Sequence, residues 1–330
     1  MTLLAPSHNP LLFGHDEAVR QFAAAYASGR MHHAWLMTGV EGVGKATLAW
    51  HMAHYVLSGG KNPLGKLDMQ HPAARLVSGE AHPDLFVLRR PVDDKTGAMK
   101  DIIPAEDARK LAPFLHKTAT HGGWRVAIID EAHALNRFGQ NAILKVIEEP
   151  PRKCLILITA TTAGVLLPTI RSRCRVLPLH PLDDAAMRAV LEHCGLEAGE
   201  GADLGAAIRL AGGSAGFAVK ILQTECLPLY EEMLGILRNL PALDMARLHG
   251  LADRIGRKAD RDSFGIITSL LNDHLRQKAK EEASTGGYRL DRALRLWDKV
   301  GHIFAQAEHA NLDHKLAFVN AIAAIRHAAA

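Results

Sequence analysis

The feature that most constrains this chain is Gly39-Val40-Glu41-Gly42-Val43-Gly44-Lys45, a G-x-x-x-x-G-K run set between an apolar run, Ala34–Met37, and a helix-period stretch, Lys45–Leu57. A strand that feeds a glycine-rich loop and then a helix is the setting in which backbone amides fold around phosphate oxygens and the helix N-terminus faces the anion. Four more apolar runs of strand length follow, at Leu85–Leu88, Val126–Ile129, Leu155–Ile158 and Val176–Leu179. Helix-period stretches alternate with them at Asp16–Ser28, Lys45–Leu57, Ala105–Lys117 and Gly139–Glu149. The alternation predicts an α/β domain with a mostly parallel sheet and helices on both faces. Pro150-Pro151 ends the last of these helices. Ser58–Ala81 reads as a loop or irregular excursion, and Pro91–Asp101 as a polar turn.

Beyond about Pro181 strand signals stop. Helices are expected at Asp183–Cys194, with Asp183 as N-cap and Gly195 as stop, and at Leu204–Ala211, Ala215–Leu227, Asp244–Ile255, Asp262–Glu282, Leu290–Ala307 and His314–Ala328. The expected division is an α/β nucleotide-binding domain at 1–180, a small helical lid at 181–240 and a C-terminal helical oligomerisation bundle at 241–330.

In the phosphate loop, Gly39, Gly42 and Gly44 allow the tight turn and Lys45 reaches toward β/γ-phosphates. The next residue is Ala46, where the full motif places a Ser or Thr hydroxyl on Mg²⁺. Thr47 lies about 100° further round the helix and does not take that place. The cradle for ATP or ADP is therefore expected to outlast the Mg²⁺ site, so hydrolysis suffers more than binding. Asp130-Glu131 follows the third apolar run, a position suited to metal binding by Asp130 and water activation by Glu131.

The four cysteines, Cys154, Cys174, Cys194 and Cys226, contain no C-x-x-C pair, and no zinc site is expected. Of the 19 histidines, His51-x-x-His54 and His32-His33 are the tightest groups; without H-E-x-x-H they read as surface or interface residues. The net charge of +4 is mildly basic and does not by itself argue for a nucleic-acid binder. No apolar run long enough for a membrane span and no secretory leader occur, so a cytoplasmic location is expected.

Several segments resemble one family. Asn141-Ala142-Ile143-Leu144-Lys145-Val146-Ile147-Glu148-Glu149-Pro150-Pro151 resembles the NALLKxLEEPP signature of clamp-loader AAA+ subunits, and Ser172-Arg173-Cys174 resembles their SRC motif. Gly29–Leu36 is similar to the lead-in to their first strand, and His82-Pro83-Asp84-Leu85 to the HPDL element of the delta-prime members. The resemblance covers about residues 8–180 well and the helical remainder loosely. It implies an AAA+ fold and a five-membered arc with other clamp-loader subunits, delta and gamma/tau, acting on the sliding clamp and on primer–template DNA.

The same resemblance implies that Arg173 is an arginine finger given in trans to a neighbour's ATPase site. It makes Thr161 the best match to the sensor-1 polar residue, with Thr159 and Thr162 as close competitors. It also puts Gly216 where motor subunits carry the sensor-2 arginine, with Lys220 the nearest cation downstream. Ala46 and Gly216 together suit a member whose own ATPase is weak or absent; intact Lys45 and Glu131 pull toward an active gamma/tau-like motor or another AAA+ ATPase. The cysteine-bearing zinc module that some members carry after the phosphate-loop helix has no counterpart in His54–Ala81.

Overall fold

A computed structural model describes residues 4–93, 97, 99–120, 123–196, 203–224, 226–256, 261–283, 288–310 and 312–329. The chain divides into two compact units, Met1–Glu197 with Gly212–Phe217, and Ala198–Ala211 with Ala218–Ala330.

The first unit is built on a parallel sheet of β1 (Ala34–Thr38), β2 (Leu85–Leu88), β3 (Arg125–Ile129), β4 (Cys154–Ala160) and β5 (Arg175–Pro178) in the order β2-β3-β4-β1-β5. Registers such as Leu36 with Ile158 and Ile128 with Leu157 bring the carboxyl ends of β3, β4 and β1 side by side. That edge is where open α/β sheets place ligands. β1, β3 and β4 are buried along their whole length, which is why they are continuous apolar runs rather than alternating ones.

Around the sheet lie α1 (Asp16–Ala27), α2 (Lys45–Leu57), α3 (Pro72–Ser78), α4 (Ala105–Arg109), α5 (Leu111–His116), α6 (Arg137–Glu148), α7 (Pro168–Arg171) and α8 (Asp184–His193). α6 begins where the Asn136 side chain accepts from the Gly139 amide, and α8 where Asp183 accepts from Ala186. Gly195 follows α8 with φ 69°, the left-handed turn expected of a stop.

In this unit three expectations need correction. The excursion 58–81 contains α3, which starts on Pro72 with His71 accepting from the Ala73 amide. The single helix expected at 105–117 is two, broken at Lys110, because Pro113 has no N–H for the Arg109 carbonyl. His51 and His54 are not surface residues: they are 0% and 1% exposed. Their helix, α2, is buried nearly all round, from Leu48 through His54.

The second unit is helical among its described residues. α9 (Leu204–Ala211) precedes α10 (Ala215–Gln223), whose first three residues belong to the first unit. The helix expected at 215–227 ends at Gln223, and α11 (Cys226–Arg238) follows it as a separate element. Then come α12 (Met245–Ile255), capped by Asp244, α13 (Arg261–Ala283), α14 (Tyr288–His309) and α15 (His314–Ala329). The core holds Ile267, Leu271, Val300, Phe318 and Ile322, with Phe264 edge-on to Phe304 at 6.0 Å. No described helix is long and apolar enough to cross a membrane.

Candidate functional site

The phosphate loop joins β1 to α2 at the carboxyl edge of the sheet. Gly44, the residue before the helix, has φ 107°, a conformation that strains any residue with a Cβ. Gly42 is tight for a second reason: a Cβ there would lie 2.5 Å from Ser214 Oγ and 3.0 Å from Gly216 Cα. Gly39 anchors the loop to the residue just past β4 through its amide, which donates to the Thr161 carbonyl at 3.1 Å. The Lys45 ammonium donates to the Gly39 and Val40 carbonyls at 2.8 and 2.7 Å. Burial lowers its pKa, while Glu41, Asp130 and Glu131 pull it back up.

The loop opens on a cavity of about 290 Å³ lined by Gly42–Thr47, Asp130, Glu131, Thr159, Thr161 and Gly216. Leu11, Leu12, Phe13, Leu182 and Val190 add apolar surface to the same lining. A pocket at the small end of the usual ligand range with both polar and apolar lining suits a phosphorylated compound that also has an apolar part.

On the facing side Asp130 and Glu131 follow β3. Thr159 Oγ1 donates to Asp130 Oδ1 at 2.6 Å. The Glu131 amide donates to both that carboxylate oxygen and Thr159 Oγ1, at 3.1 and 2.9 Å. Asp130 is pushed up by loss of hydration, with the Thr159 hydrogen bond opposing. Glu131 sits at φ 53°, ψ 51°, a left-handed conformation sparse for a glutamate and common at functional sites. Its carboxylate is gripped by Arg90 in a two-point fork, Nε to Oε2 at 2.6 Å and Nη2 to Oε1 at 2.9 Å. The fork takes up one acceptor site on each oxygen and fixes the direction of the carboxylate.

Sequence reasoning missed Arg90, two residues past β2; the only signal available was a basic pair, Arg89-Arg90, at a strand end. The polar residue that touches the acidic pair is Thr159, whereas Thr161 meets the loop through its carbonyl and also lines the cavity. His15 was likewise not foreseen; its Nε2 donates to the Val43 carbonyl at 2.7 Å, and burial lowers its pKa. At Gly216 the amide donates to the Gly42 carbonyl at 3.0 Å, and a Cβ would meet Gly42 Cα at 2.8 Å, so this position has room for no side chain.

The structure thus gathers Gly42, Gly44, Lys45, Ala46, Thr47, Asp130, Glu131 and Thr161 around one cavity, with Gly39 at the loop's root. Arg173 is not among them. It follows α7, with its side chain 42% exposed, donating to the Thr169 carbonyl at 3.0 Å and pairing with Glu148 at 3.3 Å. The donor set fits a polyphosphate. Residue 46 is alanine and offers no hydroxyl where the phosphate-loop motif places a Mg²⁺ ligand.

A family model described as DNA polymerase III, delta subunit, matches residues 14–183, which is half of the chain. The chain belongs to that family. It is a clamp-loader delta′-like protein. DNA polymerase III subunit delta′ of Pseudomonas aeruginosa is 36% identical over 154 residues, 47% of this chain and 44% of that protein. The Escherichia coli delta′ subunit is 30% identical over 205 residues, 62% and 58% of the two chains. The Escherichia coli tau subunit is 32% identical over 188 residues, 54% of this chain and 26% of that one. The match to the delta′ relatives therefore spans about half of their length. A solved DNA polymerase III gamma subunit-related protein from Thermotoga maritima shares the AAA+ fold, with a TM-score of 0.50 at 17% identity, covering 94% of this chain and 98% of that one.

Proposed function

We propose that this protein is a delta′ subunit of a bacterial clamp loader that does not turn over ATP itself and gives Arg173 to the ATPase site of a neighbouring subunit. One observation carries the reading. The chain's own cavity holds Ala46 and an Arg90-bound Glu131, while Arg173 stands exposed and apart from that cavity. Its guanidinium is held loosely, by one backbone carbonyl and one half-exposed carboxylate, so an incoming phosphate could take it over.

On this reading the partners are the delta and gamma/tau subunits, with the sliding clamp and primer–template DNA met through the assembled complex in the cytoplasm. The cavity takes ATP or ADP with weak or absent Mg²⁺ support, and zinc has no part. The chain works as an AAA+ domain at 1–180, a lid at 181–240 and an oligomerisation bundle at 241–330, the last joining the subunits. Affinity capture of the full chain from native cell extract is expected to recover gamma/tau and delta. Recovery of a homohexamer alone would contradict the assignment.

A second reading, an active gamma/tau-like motor, is favoured by the retained Lys45 beside Asp130 and Glu131. It requires Mg²⁺-dependent ATP turnover by the purified chain that disappears in Lys45→Ala. The first reading expects no such turnover.

A further inference from the structure

We propose that His15, Ser214 and Gly216 are positioning residues that brace the phosphate loop from outside, so that it holds a di- or triphosphate group without a metal ion. The proposal rests on reading the loop as a phosphate cradle and deepens it by naming what sets its shape.

The loop's carbonyls are all accounted for. Lys45 takes those of Gly39 and Val40. The next three are taken by groups from elsewhere in the same unit: Ser214 Oγ donates to Glu41 O at 2.7 Å, the Gly216 amide to Gly42 O at 3.0 Å, and His15 Nε2 to Val43 O at 2.7 Å. In a trans peptide the C=O and the following N–H point to opposite sides of the plane. Fixing the carbonyls of residues 41, 42 and 43 therefore turns the amides of Gly42, Val43 and Gly44 the other way. Among the described residues, the amides of Gly42, Gly44, Lys45, Ala46 and Thr47 have no protein acceptor, and all five residues line the cavity. Such a row of oriented N–H groups at the start of a helix is a site for an anion.

The braces are themselves fixed. His15 is 6% exposed and Ser214 5% exposed. Because a carbonyl can only accept, His15 carries its proton on Nε2. Ser214 also accepts the Phe217 amide at 3.1 Å, which locks its hydroxyl toward Glu41. Gly213 and Leu182 pin the segment from behind: the Leu182 amide donates to the Gly213 carbonyl at 2.9 Å, and a Cβ on Gly213 would meet Pro181 at 2.4 Å. The loop does not have to be ordered by its ligand, which removes part of the usual cost of binding. Gly216 thus has a role of its own: only a residue without a side chain brings the start of α10 close enough to hold Gly42.

The test uses the full chain with inorganic pyrophosphate and ADP in EDTA, followed by calorimetry, with amide hydrogen exchange of the loop in the unliganded protein. Wild type is expected to bind with the same affinity in EDTA and in Mg²⁺. His15→Ala and Ser214→Ala should each weaken binding by about tenfold and speed exchange at residues 40–47, while His15→Gln, which restores an N–H near the same point, should stay within about threefold of wild type. Unchanged affinity and exchange in both alanine variants would overturn the brace. Binding by wild type that requires Mg²⁺ would overturn the metal-free cradle. Absence of binding under either condition would do the same, yet leave capture of gamma/tau and delta, the test of the assembly role, to stand or fall alone. Should His15→Ala not fold, Ser214→Ala and the wild-type metal comparison decide.

Discussion

Acid is expected to loosen the wall of the nucleotide cavity through two histidines of α2. His51 Nε2 donates to the Asn9 carbonyl at 2.9 Å, and its Nδ1 is buried with no partner among the described residues. His54, also buried, meets Ser78 Oγ at 3.4 Å and the Ser7 backbone. Burial therefore lowers both from 6.5 to about 4. Their neutral forms support the segment around residues 4–13, which lines the cavity. Since both folded values lie below the unfolded one, the stability tied to the neutral rings is whole above pH 6.5 and drains away as pH falls toward 4. A shift of this size is worth about 3 kcal/mol per ring at full protonation, and about 2 kcal/mol per ring by pH 5. Down to pH 5 both rings stay mostly neutral in the folded protein, so the two losses add. Imidazole proton resonances followed by NMR should show both rings neutral down to about pH 5. Urea unfolding of the first unit should lose more stability between pH 7.5 and pH 5 than it does in His51→Gln/His54→Gln, by about 4 kcal/mol. Titration of either ring near 6.5, or equal pH slopes in the two proteins, would refute the reasoning.

Other outcomes follow from single contacts. Asp84→Ala removes the carboxylate 3.3 Å from the buried Arg125 guanidinium, and should cost about 3 kcal/mol or more in urea unfolding because a buried charge is left without its partner. Gly216→Arg, which would restore a sensor-like cation, should instead weaken ADP binding in calorimetry and destabilise by about 1–3 kcal/mol, since its Cβ falls 2.8 Å from Gly42 Cα. Ala46→Thr should make ADP affinity rise with Mg²⁺, where wild type shows no difference, and should still give little turnover in a coupled ATPase assay while Arg90 holds Glu131.

The sheet was legible from the chain alone because β1, β3 and β4 are buried along their whole length and so stand out as unbroken apolar runs; β2 matches its expected bounds, and the others differ by one or two residues at one or both ends. α3 was hidden by the glycines and prolines around it, although Pro72 is a normal first residue of a helix. The cavity residues of the loop and of Asp130-Glu131 could be read because they are contiguous. Arg90, His15 and Ser214 could not, because each acts through a partner distant in sequence, at separations of 41, 28 and 173 residues. Thr159 and Thr161 are two residues apart and so share strand phase; alternation could not separate them, and the difference is that Thr159 lies inside β4 while Thr161 falls one residue past its end. Burial of His51 and His54 followed from α3 and the segment before α1 covering α2, and neither cover was visible as an element in the sequence.

The central claim is that this subunit's catalytic contribution is Arg173, given to a neighbour. The most direct measurement is single-turnover ATP hydrolysis by the reconstituted clamp loader carrying Arg173→Ala, with assembly checked by mass. The account predicts an intact complex in which one ATP site loses at least about a thousandfold in rate, the others turning over as before. Unaltered hydrolysis at every site in an intact complex would contradict it.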